Sequence, residues 1–125
     1  MEIFYLAIRG DVLSIEVNLL KATVNEAAKL RNLLEEEIVL GHSKLVVDLS
    51  KCTHLDSTFI GVLVFTYKKL LANGGELKLV EPLEPAKGLF HLTGVSKVFD
   101  TFEADEDALW SFNKEPKIRE YALVQ

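Results

Sequence analysis

Cysteine is nearly absent from this sequence. Cys52 is the only one in 125 residues, so no internal disulfide can form. That suits a reducing cytoplasm and leaves no cysteine pair for a thiolate metal site. No apolar run approaches the roughly 20 residues needed to span a bilayer, so no membrane span is expected. The opening Met1-Glu2-Ile3-Phe4-Tyr5 lacks the basic start of a signal peptide. Basic clusters are missing as well: 14 Lys and Arg stand against 19 Asp and Glu, for a formal net charge of −5. An acidic chain without a basic patch is a poor ligand for nucleic acid or an anionic membrane. Neither Gly-x-x-x-x-Gly-Lys nor Gly-x-Gly-x-x-Gly occurs, so no phosphate-cradling cofactor loop is implied. What is present is 49% hydrophobic and 26% charged residues, the balance of one globular domain. A chain of this length buries roughly two-thirds of its unfolded surface and needs no covalent staple.

The hydrophobic pattern alternates between period two and period 3.6. Ile3 to Arg9 and Val12 to Val17 flank Gly10-Asp11, which reads as a β-hairpin with room for a type II′ turn. Thr23-Val24-Asn25-Glu26 fits a capping box, and Ala27, Leu30, Leu34 and Ile38 follow at helical spacing. This predicts a helix of about 16 residues stopped at Gly41. Leu45 to Leu49 is apolar on both faces, as a central parallel strand requires. Ser57 to Asn73 returns to helical period, with Ile60, Leu63, Val64, Tyr67 and Leu71 as its apolar face and Asn73-Gly74-Gly75 as its stop. Glu76 to Val80 reads as a strand, Ala86 to Leu92 as a short helix ending near Gly94, Val98 to Phe102 as a weaker strand and Asp105 to Phe112 as a last helix. Residues 1–113 thus form one domain, and 114–125 a C-terminal tail whose Ile118, Tyr121 and Leu123 either pack back or fray. The alternation predicts an α/β fold with right-handed crossovers on a mixed, mostly parallel sheet. Function in such folds gathers beyond the carboxyl ends of the strands. Here that is the loop from Ser50 to Asp56.

That loop enters a helix through Asp56-Ser57-Thr58. Capping by Asp56 or Ser57 explains the run on its own, because a side-chain oxygen satisfies an orphan N–H group. A sharper reading uses the same place. A helix N-terminus favours added negative charge, and phosphorylation of Ser57 would add about −1.5 to −2 units. The fold would survive while the surface changed. A Ser57–His54–Asp56 triad is disfavoured, since a short loop rarely holds a base against a nucleophile, and no Gly-x-Ser-x-Gly elbow is present. His42, His54 and His91 are scattered, so no metal site is expected. Cys52 reads as a small buried hydrophobe.

Leu45-Val46-Val47-Asp48-Leu49-Ser50, followed by Leu55-Asp56-Ser57-Thr58-Phe59-Ile60-Gly61-Val62-Leu63, resembles the signature of the STAS domain family. The nearest group is the bacterial anti-sigma factor antagonists. Asn73-Gly74-Gly75-Glu76-Leu77 and the stretch from Pro85 to Val95 are similar to later pieces of the same pattern, in order. The resemblance runs from about Ile3 to Phe112. It implies a single STAS-like domain with an N-terminal hairpin and about four helices. It further implies a cytoplasmic, non-enzymatic binding module without cofactor. In that family the serine matching Ser57 is phosphorylated by the partner, an anti-sigma factor serine kinase. The unphosphorylated antagonist binds that partner and so releases a sigma factor.

Carried over, Ser57 is the phosphate acceptor and Thr58 a second candidate, with Asp56 beside them on the binding surface. Two positions depart from the pattern. Leu19-Leu20-Lys21-Ala22 replaces the usual Gly-Glu/Arg-Leu/Ile-Asp at the border of the partner surface, which places Lys21 there. Phe59 replaces a small glycine. It either alters the approach of a kinase to Ser57 or serves as an exposed apolar anchor for a partner. These departures support an alternative: a STAS-like scaffold or sensor subunit of a larger regulatory or transport complex, without phospho-switching. A monomer or weak homodimer is expected, because the hairpin edge could pair with another chain.

Overall fold

The structure, a computed structural model, describes residues 2–113. The tail 114–125, with Ile118, Tyr121 and Leu123, lies outside the described residues. Strands β1 (Phe4–Arg9) and β2 (Val12–Val17) form the expected antiparallel hairpin. Gly10 has φ +65° and no non-glycine residue described has positive φ, as a II′ turn demands. Helix α1 (Val24–Val39) carries the capping box: the Asn25 N–H donates to Thr23 Oγ1 at 3.2 Å and the Thr23 N–H to Glu26 Oε1 at 3.0 Å. The remaining parallel strands are β4 (Lys44–Asp48), β6 (Glu76–Val80) and β7 (Asp100–Phe102). Together they form a mixed five-stranded sheet in the order β1-β2-β4-β6-β7, in which only β1 runs antiparallel.

Two elements escape the sequence pattern. Strands β3 (Lys21–Ala22) and β5 (His54–Leu55) pair in parallel as a second small sheet. Two residues are too few to show a period. The Val98–Phe102 stretch also differs from expectation. Gly94, at φ +82°, ends helix α3 (Ala86–Thr93) in the left-handed conformation, and Val95–Val98 then forms one more helical turn, α4. Only Asp100–Phe102 remains for the strand.

Helix α2 (Ser57–Ala72) is rotated relative to the expected face. Its buried residues are Phe59, Val62, Leu63, Thr66 and Leu70, while Leu71 is half exposed. The helix is apolar nearly all round, so periodicity alone could not choose the face. The consequence is largest at Phe59. It is fully buried and belongs to the main core with Leu30, Leu34, Val47 and Leu79. The expectation of Phe59 as an exposed anchor is therefore corrected: its ring is in the core, where burying a large apolar side chain stabilises the fold.

The sheet is covered on both faces. α1 and α2 pack on the face of Leu13, Ile15, Leu45 and Leu77. A last helix, α5, spans 105–113 and buries Ala108 and Phe112 against Val12, Val46 and Val80 on the other face. Lys78 lies under α5 at 1% exposure. Its Nζ donates to Ser111 Oγ at 2.7 Å and sits 4.2 Å from the Phe112 ring centroid. A hydrogen bond and an aromatic face thus compensate part of the cost of burying that charge.

Candidate functional site

The loop after β4 is held at both ends and in the middle. The Ser50 N–H donates to Asp48 Oδ1 at 2.9 Å, which turns the chain out of the sheet. The Thr53 and His54 N–H groups both donate to the Leu20 carbonyl, at 2.8 and 3.1 Å, and the Asp56 N–H to Ala22 O at 3.2 Å. On the other side, the Leu83 N–H donates to Cys52 O at 2.8 Å and the Ala86 N–H to Thr53 O at 3.0 Å. The small β3–β5 sheet is therefore a clamp. It sets the start of α1 beside the start of α2, with the loop before α3 closing the third side.

Asp56 joins the two helix starts. Its Oδ1 accepts the Phe59 N–H at 2.9 Å, which caps α2. Its Oδ2 accepts the Val24 N–H, the first of α1, at 2.6 Å. One carboxylate thus satisfies orphan donors of two helices and faces two positive dipole ends. With both oxygens committed to backbone, Asp56 is not an orienting group for a catalytic histidine. His54 is occupied as well, its Nδ1 lying 2.9 Å from Thr53 Oγ1. The capping reading of the Asp-Ser-Thr run is thus what the geometry contains, and the triad is not assembled.

Ser57 is the first residue of α2, and its side chain is exposed. Among the described residues no group hydrogen-bonds its hydroxyl. Thr58 is also exposed, and Lys21 is exposed on β3, opposite His54 across the small sheet. The fold therefore brings Asp56, Ser57, Thr58 and Lys21 to one end of the molecule and sends Phe59 to the core. Cys52, within the loop, is fully buried. Desolvation, with the nearby Asp48 carboxylate adding to it, pushes its thiol up to about 12, so it is no thiolate nucleophile at neutral pH. Among the described residues no three His, Cys, Asp or Glu side chains gather in a way that could hold a metal ion.

The surroundings of Ser57 contain residues that motif reading passed over. Leu20 and Val24 are exposed at 68% and 59%, on the segments that the clamp brings against the loop. Along α2, Ser57, Gly61, Phe65 and Lys68 share the exposed face. Ser57 and Gly61 line a shallow groove whose far wall is Thr93 and Val95. The spacing of Ser57 and Gly61, one turn apart, was the available signal: a glycine inside a helix leaves a flat place for a neighbour to approach. Phe65 is 53% exposed, with the Arg31 guanidinium 5.8 Å from its ring centroid. The site is a mostly apolar surface with hydroxyls at its centre, suited to contact with another protein.

Comparison with known proteins agrees with this architecture. A Thermotoga maritima protein assigned as an anti-sigma factor antagonist superposes with a TM-score of 0.82 at 24% identity, over 89% of this chain and 95% of that one. An anti-sigma factor antagonist from Mycobacterium paratuberculosis gives a TM-score of 0.76 at 26% identity, over 86% and 91%. The Bacillus cell fate determinant SpoIIAA in its phosphorylated form gives 0.68 at 16% identity, over 87% and 98%; SpoIIAA is also solved unphosphorylated. Residues 2–108 match the STAS domain, and the chain belongs to the STAS domain family.

Proposed function

We propose that this protein is an anti-sigma factor antagonist switched by phosphorylation of Ser57. Unphosphorylated, it docks a serine-kinase anti-sigma factor through the surface around Ser57 and so frees a sigma factor; it acts in the cytoplasm and is not itself an enzyme. The observation that carries this reading is the Ser57 hydroxyl. It is exposed, unbonded among the described residues, and set at the first position of a helix whose cap, Asp56, is fixed by two backbone donors. The relatives named above as antagonists, and the existence of SpoIIAA in a phosphorylated form, support it.

The physics favours a switch that spares the fold. A phosphate on Ser57 would sit at the positive end of the α2 dipole, which offsets part of its charge. Asp56 would oppose it, and that repulsion does not reach the core. At a protein interface the same group is costly: a dianion must be desolvated among Leu20, Val24 and the Gly61 groove. Phe59 does not stand between a kinase and Ser57, because its ring is in the core. Thr58 is the second acceptor, and Lys21 borders the contact as a rim charge.

The test is intact-mass spectrometry of the protein incubated with ATP and the kinase-type anti-sigma factors of its host. One phosphate is expected on the wild type and none on Ser57→Ala. A mass unchanged with every such kinase would overturn the switch.

A further inference from the structure

β1 forms one edge of the five-stranded sheet, and among the described residues no strand pairs with its outer side. β1 is the outermost strand and has six residues, Phe4–Arg9, with no proline, lysine or bulge to block a neighbour. Its partners on β2 fix which backbone groups are spent. The Asn18 N–H donates to Ile3 O at 2.7 Å, and the register runs from Phe4↔Val17 to Arg9↔Val12. In an antiparallel pair, hydrogen-bonded and non-bonded positions alternate. Ile3, Tyr5, Ala7 and Arg9 therefore bond inward to β2. Phe4, Leu6 and Ile8 turn their N–H and C=O outward, and no described residue takes them.

We infer that β1 is a homodimer interface, in which two copies pair antiparallel about a two-fold axis at Leu6. That register places Leu6 opposite the partner's Leu6 and Phe4 opposite the partner's Ile8. Every outward group then meets its complement in three closely spaced pairs. It also sets Tyr5 against the partner's Ala7 in the intervening non-bonded pairs. Tyr5 and Ile8 are 57% and 59% exposed, a large apolar side chain on each face of the strand, and both gain cover in the dimer. The opposite edge offers no equivalent: β7 has three residues and opens on Asp100. A single six-residue strand buries well under the roughly 800 Å² per partner of a standard interface, so the dimer is weak and fills only at high protein concentration.

Sedimentation equilibrium over a wide concentration range tests this. The expected mass rises from 14.0 kDa towards twice that value. Ile8→Lys, which alters an exposed side chain and adds an edge charge, is expected to weaken association by at least about tenfold while the thermal midpoint holds. Register is read by cross-linking. The double variant Tyr5→Cys/Ala7→Cys is expected to form a disulfide-linked dimer under mild oxidation, and neither single variant is, since in this register position 5 lies opposite the partner's position 7 and not opposite its own counterpart. A mass of 14.0 kDa at every concentration overturns the inference. So does association untouched by Ile8→Lys, or cross-linking by the single variants as fast as by the double one.

Discussion

Asp56 Oδ2 lies 2.6 Å from the Val24 backbone nitrogen, although Val24 opens α1 and Asp56 caps α2. With its other oxygen capping α2 through Phe59, this carboxylate fixes the angle between the two helix starts that frame the candidate surface. Asp56 is thus first a structural residue, and any binding role it has acts from a fixed position.

Removing that carboxylate leaves two helix-end donors without their protein acceptor. Asp56→Ala is expected to cost about 1–3 kcal/mol, the sum of a lost cap and a lost second bond. Asp56→Asn keeps one acceptor oxygen for Phe59 and loses the bond to Val24, so it should fall between wild type and Asp56→Ala. Urea unfolding measures both.

The two phenylalanines of α2 should part company. Phe59→Ala opens a cavity in the main core and is expected to cost about 3–5 kcal/mol. Phe65→Ala removes an exposed ring and its Arg31 contact, at under about 1 kcal/mol. Partner affinity should respond the other way round, with Phe65→Ala weakening binding by a folded protein. Denaturation midpoints together with a binding isotherm decide this.

Asp105, at the start of α5, gives the protein a pH dependence of known sign. Burial raises its carboxyl above the usual value, Arg9 at 3.4 Å lowers it, and Asp48, Glu16 and Glu106 raise it further. Its Oδ1 is buried and finds no hydrogen-bond donor among the described residues. With a raised folded pKa, the folded state holds the proton longer than the unfolded chain does. This group's contribution to stability therefore falls as pH rises from the ordinary carboxylate range of about 4 through its raised value. Asp105→Asn should flatten that part of the curve. Urea midpoints across acidic to neutral pH, wild type against variant, measure the difference.

The sequence made most of this legible, and the gaps have physical causes. The hairpin, the α1 capping box and the order of parallel strands each rest on a local signal: a Gly-Asp turn, a Thr-x-x-Glu box, runs of β-branched residues. The α2 face did not, because its apolar residues outnumber one stripe, and the core chose Phe59 over Leu71. The β3–β5 clamp was illegible at two residues per strand, yet it is what carries Val24 to Asp56. Asp56 as a cap of α2 was readable from the sequence; its bond to α1, across 32 residues of chain, was not.

On the proposed reading, charge at Ser57 closes the docking surface without disturbing the fold. The most direct measurement is the affinity of the kinase anti-sigma factor for wild-type protein, Ser57-phosphorylated protein and Ser57→Asp, with thermal midpoints alongside. Binding is expected to weaken by about 2–3 kcal/mol, roughly 30- to 150-fold, on phosphorylation, with a smaller loss for Ser57→Asp and midpoints close to wild type. Equal affinity in all three forms would contradict it.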